Sequence, residues 1–331
     1  MFNLFELLEY ANLSPSYYNT QPWKLAFHDN TILISADTKL DLNDLDPSNS
    51  FQLISIGCFI QNVILLLTSC KRFITIEYQN QYPNIAKITV NLDSQHVTNE
   101  HSYNKLIQLM KKRQNYRNKY LPQVIEKPIL STEKIIFGRK IDSEIKILKE
   151  KSSFKLIEKH AKKGMNTSSN EKLFKKTLNK MFPSILSSAK KGVPISALNI
   201  PVFTSNLIPI LSSNQSIGKL IAKTKYPDIL TADGIIILSS KSDIKSLVQT
   251  GQDLQSILLH LSDQNIATCL YGAPLLNKDS STDIQTKFSL TNTPQILFTY
   301  GIRKKSMIIE KIERESIQSK IIPYLSLEKV Q

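Results

Sequence analysis

The feature that most limits what this chain can fold into is a run of apolar residues from Phe51 to Cys70. Leu53, Ile54, Ile56, Phe59, Ile60, Val63, Ile64, Leu65, Leu66 and Leu67 cover nearly every face of a helix. A helix apolar all round needs neighbours all round, so the run predicts a central buried helix. Its apolar core, Leu53 to Leu67, is interrupted by Ser55, Gln61 and Asn62 and is too short to span a bilayer. The pattern then returns 194 residues later: Leu53, Gly57, Gln61, Leu65 and Leu67 recur as Leu247, Gly251, Gln255, Leu259 and Leu261. Ile60 and Val63 match Leu254 and Ile257 in the same register. Two leucine-rich helices share some positions by chance, but a Gly and a Gln at the same spacing argue for an internal duplication.

Around these helices the chain reads as alternating short elements. Residues 2–12 form an amphipathic leading helix, and 24–28 with 31–35 flank Asp29-Asn30 as a tight hairpin. Asp41 to Asn49 is a loop; 73–79 and 85–91 are short strands; the polar stretch 91–104 is the boundary between halves. Leu106 to Lys112 is helical, and 143–190 is Lys-rich and mostly helical, with a break near Gly164–Asn170. Residues 192–225 carry no clean period, as a long loop or lid would. Gly234–Leu238 is a buried strand, Ile266–Pro274 a loop, Gln295–Tyr300 a last strand, and the tail from Ser306 is charged and mixed.

Composition removes several function classes. Of 331 residues only 9 are glycine, and neither G-x-G-x-x-G nor G-x-x-x-x-G-K-[ST] occurs, which excludes the usual dinucleotide and P-loop sites. The net charge of +14 is spread over short clusters such as Lys111-Lys112-Arg113 without interleaved aromatics, so nucleic acid is not the expected partner. Cys58, Cys70 and Cys269 form no C-x-x-C, and five histidines make no ligand spacing, so neither a disulfide framework nor a metal is expected. Met1 to Asn12 has acidic Glu6 and Glu9 and no basic leader, so the expectation is a soluble cytoplasmic protein with no membrane partner.

The densest motif is Ser14-Pro15-Ser16-Tyr17-Tyr18-Asn19-Thr20-Gln21-Pro22-Trp23. Its two prolines fix φ, and the hydroxyl and amide side chains between them bond readily to nearby backbone, giving a rigid polar ledge between a helix and a strand. The segment resembles the Pro-Ser-x-x-Asn-x-Gln-Pro-Trp signature of the FMN-dependent nitroreductase family, with every fixed position present. That resemblance implies an α+β fold with mixed, mainly antiparallel sheets packed on central helices. It also implies that Pro15, Ser16, Asn19 and Gln21 line an FMN site. Members of the family are dimers held by a central helix from each subunit. The repeat therefore resembles a dimer fused into one chain, a pseudo-dimer with halves at 1–100 and 101–331. The two-domain branch typified by the mycobacterial Acg-type FMN-binding proteins is similar in this respect.

Arg113-x-Asn115-x-Arg117 is the second candidate. Alternate residues of an extended segment point to one side, and guanidinium forks suit phosphate. The same residues read equally as a solvated basic helix end, but they resemble the family's Arg-x-Ser-x-Arg grip on the FMN phosphate, with Asn for Ser. Leu270, Tyr271 and Gly272 fall where the family's loop over the flavin would lie, with Gly272-Ala273 in place of the usual Glu-Gly. Arg303 is a further phosphate candidate, with Lys304 and Lys305 as alternatives. The ledge occurs only in the first half and the arginine grip only in the second, which implies one site per chain. The resemblance implies hydride transfer from NADPH or NADH through FMN to a nitro- or quinone-like small-molecule acceptor, without a catalytic side chain. Its alternative is a lidded, FMN-sequestering protein with little reductase activity.

Overall fold

The computed structural model describes residues 3–40, 42, 44–91, 100–168, 177, 181, 190–193, 226–304 and 312–324. It is an α+β protein in which two antiparallel sheets are organised around one pair of long helices. The leading helix α1 (Leu4–Ala11) is capped by Asn3, whose Oδ1 accepts from the N–H groups of Phe5 and Glu6. The hairpin of β1 (Trp23–His28) and β2 (Thr31–Ala36) turns at Asp29, which takes φ 48°. Then follow α2 (Ser50–Ser69), β3 (Ile74–Gln81) and β4 (Asn84–Val90), completing a sheet of order β1-β2-β4-β3.

The chain continues through α3 (Glu100–Lys112), a small hairpin of β5 (Ile135–Ile136) and β6 (Arg139–Lys140), β7 (Glu144–Leu148) and α4 (Lys151–Ser168). After the short α5 (Pro227–Thr231) come β8 (Gly234–Ser240), α6 (Ile244–Asp263), β9 (Ala267–Tyr271), α7 (Lys278–Lys287) and β10 (Thr293–Gly301). The second sheet has the order β7-β8-β10-β9. Both sheets are thus built from strand, strand, long helix, strand, strand, arranged in the same way. The long helices α2 and α6 begin at Ser50 and Ile244, separated by the offset of the sequence repeat.

These two helices cross at their shared glycines. A Cβ on Gly57 would stand 2.0 Å from the Val248 carbonyl oxygen, and one on Gly251 would stand 2.0 Å from that of Ile54. Ile54 and Val248 occupy equivalent positions, so the contact reads the same from either helix. The crossing also carries a polar seam: Gln255 Nε2 donates to Asn62 Oδ1 at 2.7 Å, and Cys58 Sγ donates to Gly251 O at 3.2 Å. Long and apolar as it is, α2 has 89% of its most hydrophobic stretch buried inside the protein.

The second sheet is covered on both faces. Ile236, Leu238 and Phe298 join the core around the central helices, whereas Ile235, Ile237 and Leu297 pack with Phe154, Ile157 and Ala161 of α4. That explains the unbroken apolar run of β8, since a strand buried on both sides has no reason to alternate.

Several sequence expectations are corrected. Residues 267–271, within the expected loop 266–274, form the strand β9, held by β10 on one side and by Asn115 on the other. The Lys-rich stretch from 143 opens with β7, because pairing with β8 outweighs local helix preference. Gly164 does not break the following helix; it lies inside α4, where a Cβ would stand 2.0 Å from the Ala273 carbonyl oxygen. The small hairpin and α7 were not foreseen. Of the 192–225 stretch only Gly192 and Val193 are described, and residues 92–99 of the expected boundary also lie outside the described residues. The charged tail returns to the first sheet: Ile321 bridges Leu25 in parallel, and Ile322 N donates to Leu25 O at 2.8 Å.

Candidate functional site

The ledge is backbone under tension. Ser16 is extended, a 3₁₀ turn covers Tyr17–Asn19, and Tyr18, Asn19 and Gln21 have φ of 46°, 55° and 49°. Non-glycine residues pay roughly 1–3 kcal/mol each for such conformations, which persist only where the surroundings impose them and cluster at functional sites. Here α1 and α2 impose them. Tyr17 N donates to Ser55 Oγ at 3.0 Å, Gln21 N donates to Ser16 Oγ at 3.0 Å, and Trp23 Nε1 donates to Asn12 Oδ1 at 3.0 Å. The Trp23 ring stacks on Phe59 with centroids 4.7 Å apart. Pro15 is buried between these anchors.

The ledge amides face two covering segments. Asn19 Nδ2 donates to Lys190 O at 3.1 Å and to Glu313 O at 3.0 Å, while its buried Oδ1 has no partner. Gln21 Nε2 donates to Asn19 O and Lys190 O, both at 2.8 Å, and its Oε1 accepts from Glu315 N at 2.8 Å. Gln21 is therefore a clasp for residues 190 and 315. The buried Ser14 Oγ is also unpartnered.

Across from the ledge lies Gly272. A Cβ there would be 3.2 Å from the rings of Tyr17 and Phe51, which stack at 4.5 Å. The ledge of the first half and the 270–272 segment of the second are thus brought together. Strand alternation sends the neighbouring side chains elsewhere. Leu270 packs against the central core. Tyr271 turns under the second sheet, where its hydroxyl donates to Asp228 Oδ2 in a short hydrogen bond. Burial raises the Asp228 carboxyl above its ordinary range.

Residues 113–117 run extended along β9: Asn115 bridges Thr268 in parallel and Tyr116 N donates to Thr268 O at 2.8 Å. Tyr116 is fully buried in the core beneath the second sheet, whereas Arg113 turns toward the first helices, beside Leu13 and Cys58. Arg113 is 9% exposed. Its Nη2 donates to Leu13 O, just before the ledge, at 3.4 Å, and its Nε has no partner. Asn115 Oδ1 is likewise buried and unpartnered. Arg117 stands within electrostatic reach of Tyr18, Asp228 and Cys269. Arg303, half-buried, follows β10 where Ile302 O accepts from Leu121 N and Lys304 N donates to Tyr116 OH.

One residue was missed. Arg314 has an enclosed Nη1 without a partner, and burial together with the charge of Arg113 pulls its pKa down to about 9. Burial holds Arg113 at about 10. Among the described residues no carboxylate acts on either guanidinium. Nothing in the sequence marks Arg314, which sits between Glu313 and Glu315 in a mixed tail. Two enclosed cations with open donors are costly unless an anion completes them. A phosphate monoester matches that donor set, so the residues present fit the phosphate end of FMN.

No protein-family model matches the chain. No curated protein matches it. Among solved structures it is similar to the FMN-dependent nitroreductase NfnB from Mycobacterium smegmatis in complex with NADPH, at 11% identity and a TM-score of 0.41, covering 65% of this chain and 96% of that one. A nitroreductase with bound FMN from Bacteroides fragilis aligns at 10% identity and a TM-score of 0.40, covering 63% of this chain and 94% of that one. The FMN- and NADPH-dependent nitroreductase NfnB from a Sphigopyxis strain aligns at 9% identity and a TM-score of 0.39, over 64% and 95%.

Proposed function

We propose that the chain binds one FMN and acts as an oxidoreductase of nitroreductase type, passing hydride from NADPH or NADH to a nitro- or quinone-like acceptor. The observation that carries this reading is Arg113: a buried guanidinium tied to the residue before the ledge signature, with an open Nε and a second arginine in its field. In this reading Arg113, Arg314 and the Asn115 amide hold the phosphate, and Ser16, Asn19 and the Gly272 backbone receive the ring system. Asn19 Oδ1 remains available as an acceptor for an imide N–H, because both amide protons are already committed to Lys190 and Glu313.

FMN, when bound, supplies hydride acceptance and donation at ring N5. The protein's own part is to orient and enclose. The strained ledge fixes its hydroxyl and amide groups before any ligand arrives, and Gly272 permits main chain to approach where a larger residue would meet Tyr17 and Phe51. The alternative, a flavin store, is favoured by a separate observation: Lys190 O accepts from both ledge amides, so the chain at Lys190 lies over the ledge. Anaerobic titration of the purified FMN-loaded protein decides between the two. Bleaching of the flavin by NADPH or NADH, and its recovery on adding a quinone, is the result expected of the enzyme. Reduction by dithionite but not by nicotinamide over hours would leave storage as the function, and a colourless protein that takes up no FMN would end both readings.

A further inference from the structure

The segment 312–324 lies after the last strand of the second sheet yet is fastened to the first half. Asn12 Nδ2 donates to Glu315 O at 2.8 Å, Glu315 N to Gln21 Oε1 at 2.8 Å, and Ile317 N to Glu9 Oε1 at 2.8 Å. Lys320 Nζ is fully buried, donating to Gln21 O at 3.0 Å and pairing with Glu315 Oε2 at 2.5 Å. Lys191 joins the same carboxylate at 3.4 Å, so the single charge of Glu315 is shared by two lysines and is not the counter-ion of its neighbour Arg314. Among the described residues of the strap, Arg314 Nη1 is enclosed and unpartnered. Its neighbour Glu315 accepts from Asn12, and the next residue, Leu13, accepts from Arg113, so the two guanidiniums and their open donors are brought to one place. Docking the strap therefore creates a like-charge pair that nothing described in the chain offsets.

We propose that the strap is an anion-dependent latch: one phosphate-sized oxyanion bridging Arg113 and Arg314 is what holds residues 312–324 closed on the ledge. Without the anion, repulsion between the guanidiniums favours release of the strap. With it, the two charges become the two arms of a clamp. Closure and anion binding then stabilise each other by the same factor, whichever occurs first. The strap also covers the ledge amides, so the latch ties occupancy of the phosphate end to access at the other end of the site. This proposal rests on the phosphate end of the reading above and not on the flavin ring.

The test is hydrogen–deuterium exchange of the full-length apoprotein at the strap amides, with inorganic phosphate, FMN, riboflavin or chloride at matched ionic strength. Phosphate and FMN should slow exchange at Glu315, Ile317 and Ile322, whose N–H groups are bonded in the docked strap, by about 5- to 150-fold, the usual span of coupling between sites. Riboflavin and chloride should leave it unchanged. In Arg314→Gln the phosphate response should vanish while the anion-free strap becomes better protected than in the wild type, an outcome that a merely structural arginine would not give. Arg314→Lys, keeping the charge without the fork, should retain a weaker response. Equal protection with and without phosphate in the wild type, or an undiminished response in Arg314→Gln, would overturn the latch. A yellow, FMN-loaded protein whose strap ignores phosphate refutes the latch alone; a strap that answers phosphate in a protein indifferent to the flavin ring refutes the FMN reading alone.

Discussion

Replacing Gly57 by Ala probes the crossing of the two central helices. In an open helix the change would stabilise by about 1 kcal/mol through backbone propensity. Here the new methyl would lie 2.0 Å from the Val248 carbonyl oxygen, whereas ordinary contact begins at 3.4 Å. The obstacle is main chain, so no rotamer change relieves it, and α2 must move off α6 by an ångström or more. That shift loosens a helix with sixteen buried residues, from Phe51 to Leu67. Overpacking costs typically about 1–3 kcal/mol, and a backbone clash belongs at the upper end. After the propensity gain, a net loss of about 2 kcal/mol is expected, read as a fall of roughly 0.7 M in the urea midpoint if m is near 3 kcal/mol/M. Gly251→Ala should behave alike, because it meets the Ile54 carbonyl at the same 2.0 Å. One separation of the helices accommodates both methyls, so the double variant should lose less than the sum. A variant stabilised by about 1 kcal/mol, as at an uncrowded site, would refute the close crossing.

Arg113→Ala should weaken FMN by roughly 10- to 150-fold, from the loss of about 1.5–3 kcal/mol of charged hydrogen bonding, and leave riboflavin unaffected; an equal fall for both ligands in fluorescence titrations contradicts a phosphate role. Asp46 is buried and accepts the Gln52 N–H at 2.8 Å near the start of α2, and burial pushes its pKa up to about 6. The folded form thus holds this proton above the unfolded value of about 3.9, so its effect on stability is most favourable at low pH and declines as pH rises from about 4 to 6. Asp46→Asn should abolish that decline in urea titrations across the window, and a pH-independent difference from the wild type would count against it. Tyr271→Phe deprives the buried Asp228 carboxyl of its tyrosine partner and should cost about 1–3 kcal/mol, less as the pH is lowered, because the Tyr271 hydrogen bond favours the ionised form; unchanged thermal stability across the pH range rules the bond out as a support.

The parts of the fold that were legible in the sequence are those whose pattern is local and strong. The all-round apolar helix, its echo 194 residues on, and the Asp29-Asn30 hairpin all appear where the residues put them. What misled was tertiary override. Ile145 and Ile147 stand among lysines and a glutamate and read as helix, yet β8 recruits them into an edge strand. Ala267–Tyr271 precedes a Gly and a Pro and reads as a loop, yet it is flanked by β10 and by the arginine segment. In the candidate site, the ledge and Arg113 carry motif-level signals. Arg314 has none, because its significance lies in a neighbour two hundred positions away and in a burial that no window of sequence records.

The cover on β1 has a consequence for how the chain is made. That strand is the outer edge of its sheet, and its free side is met by Ile321 and Ile322, specified near the far end of the chain. Synthesis at about 5–20 residues per second leaves an interval of roughly 12–46 s between the completion of β4, which finishes the sheet, and the arrival of the cover on β1. Throughout that interval the nascent first sheet presents an unpaired edge, the kind of surface to which other chains add. Pausing on the messenger after the first sheet, or a shortage of holdase chaperones, would therefore lower the yield of folded protein without changing the stability of what does fold.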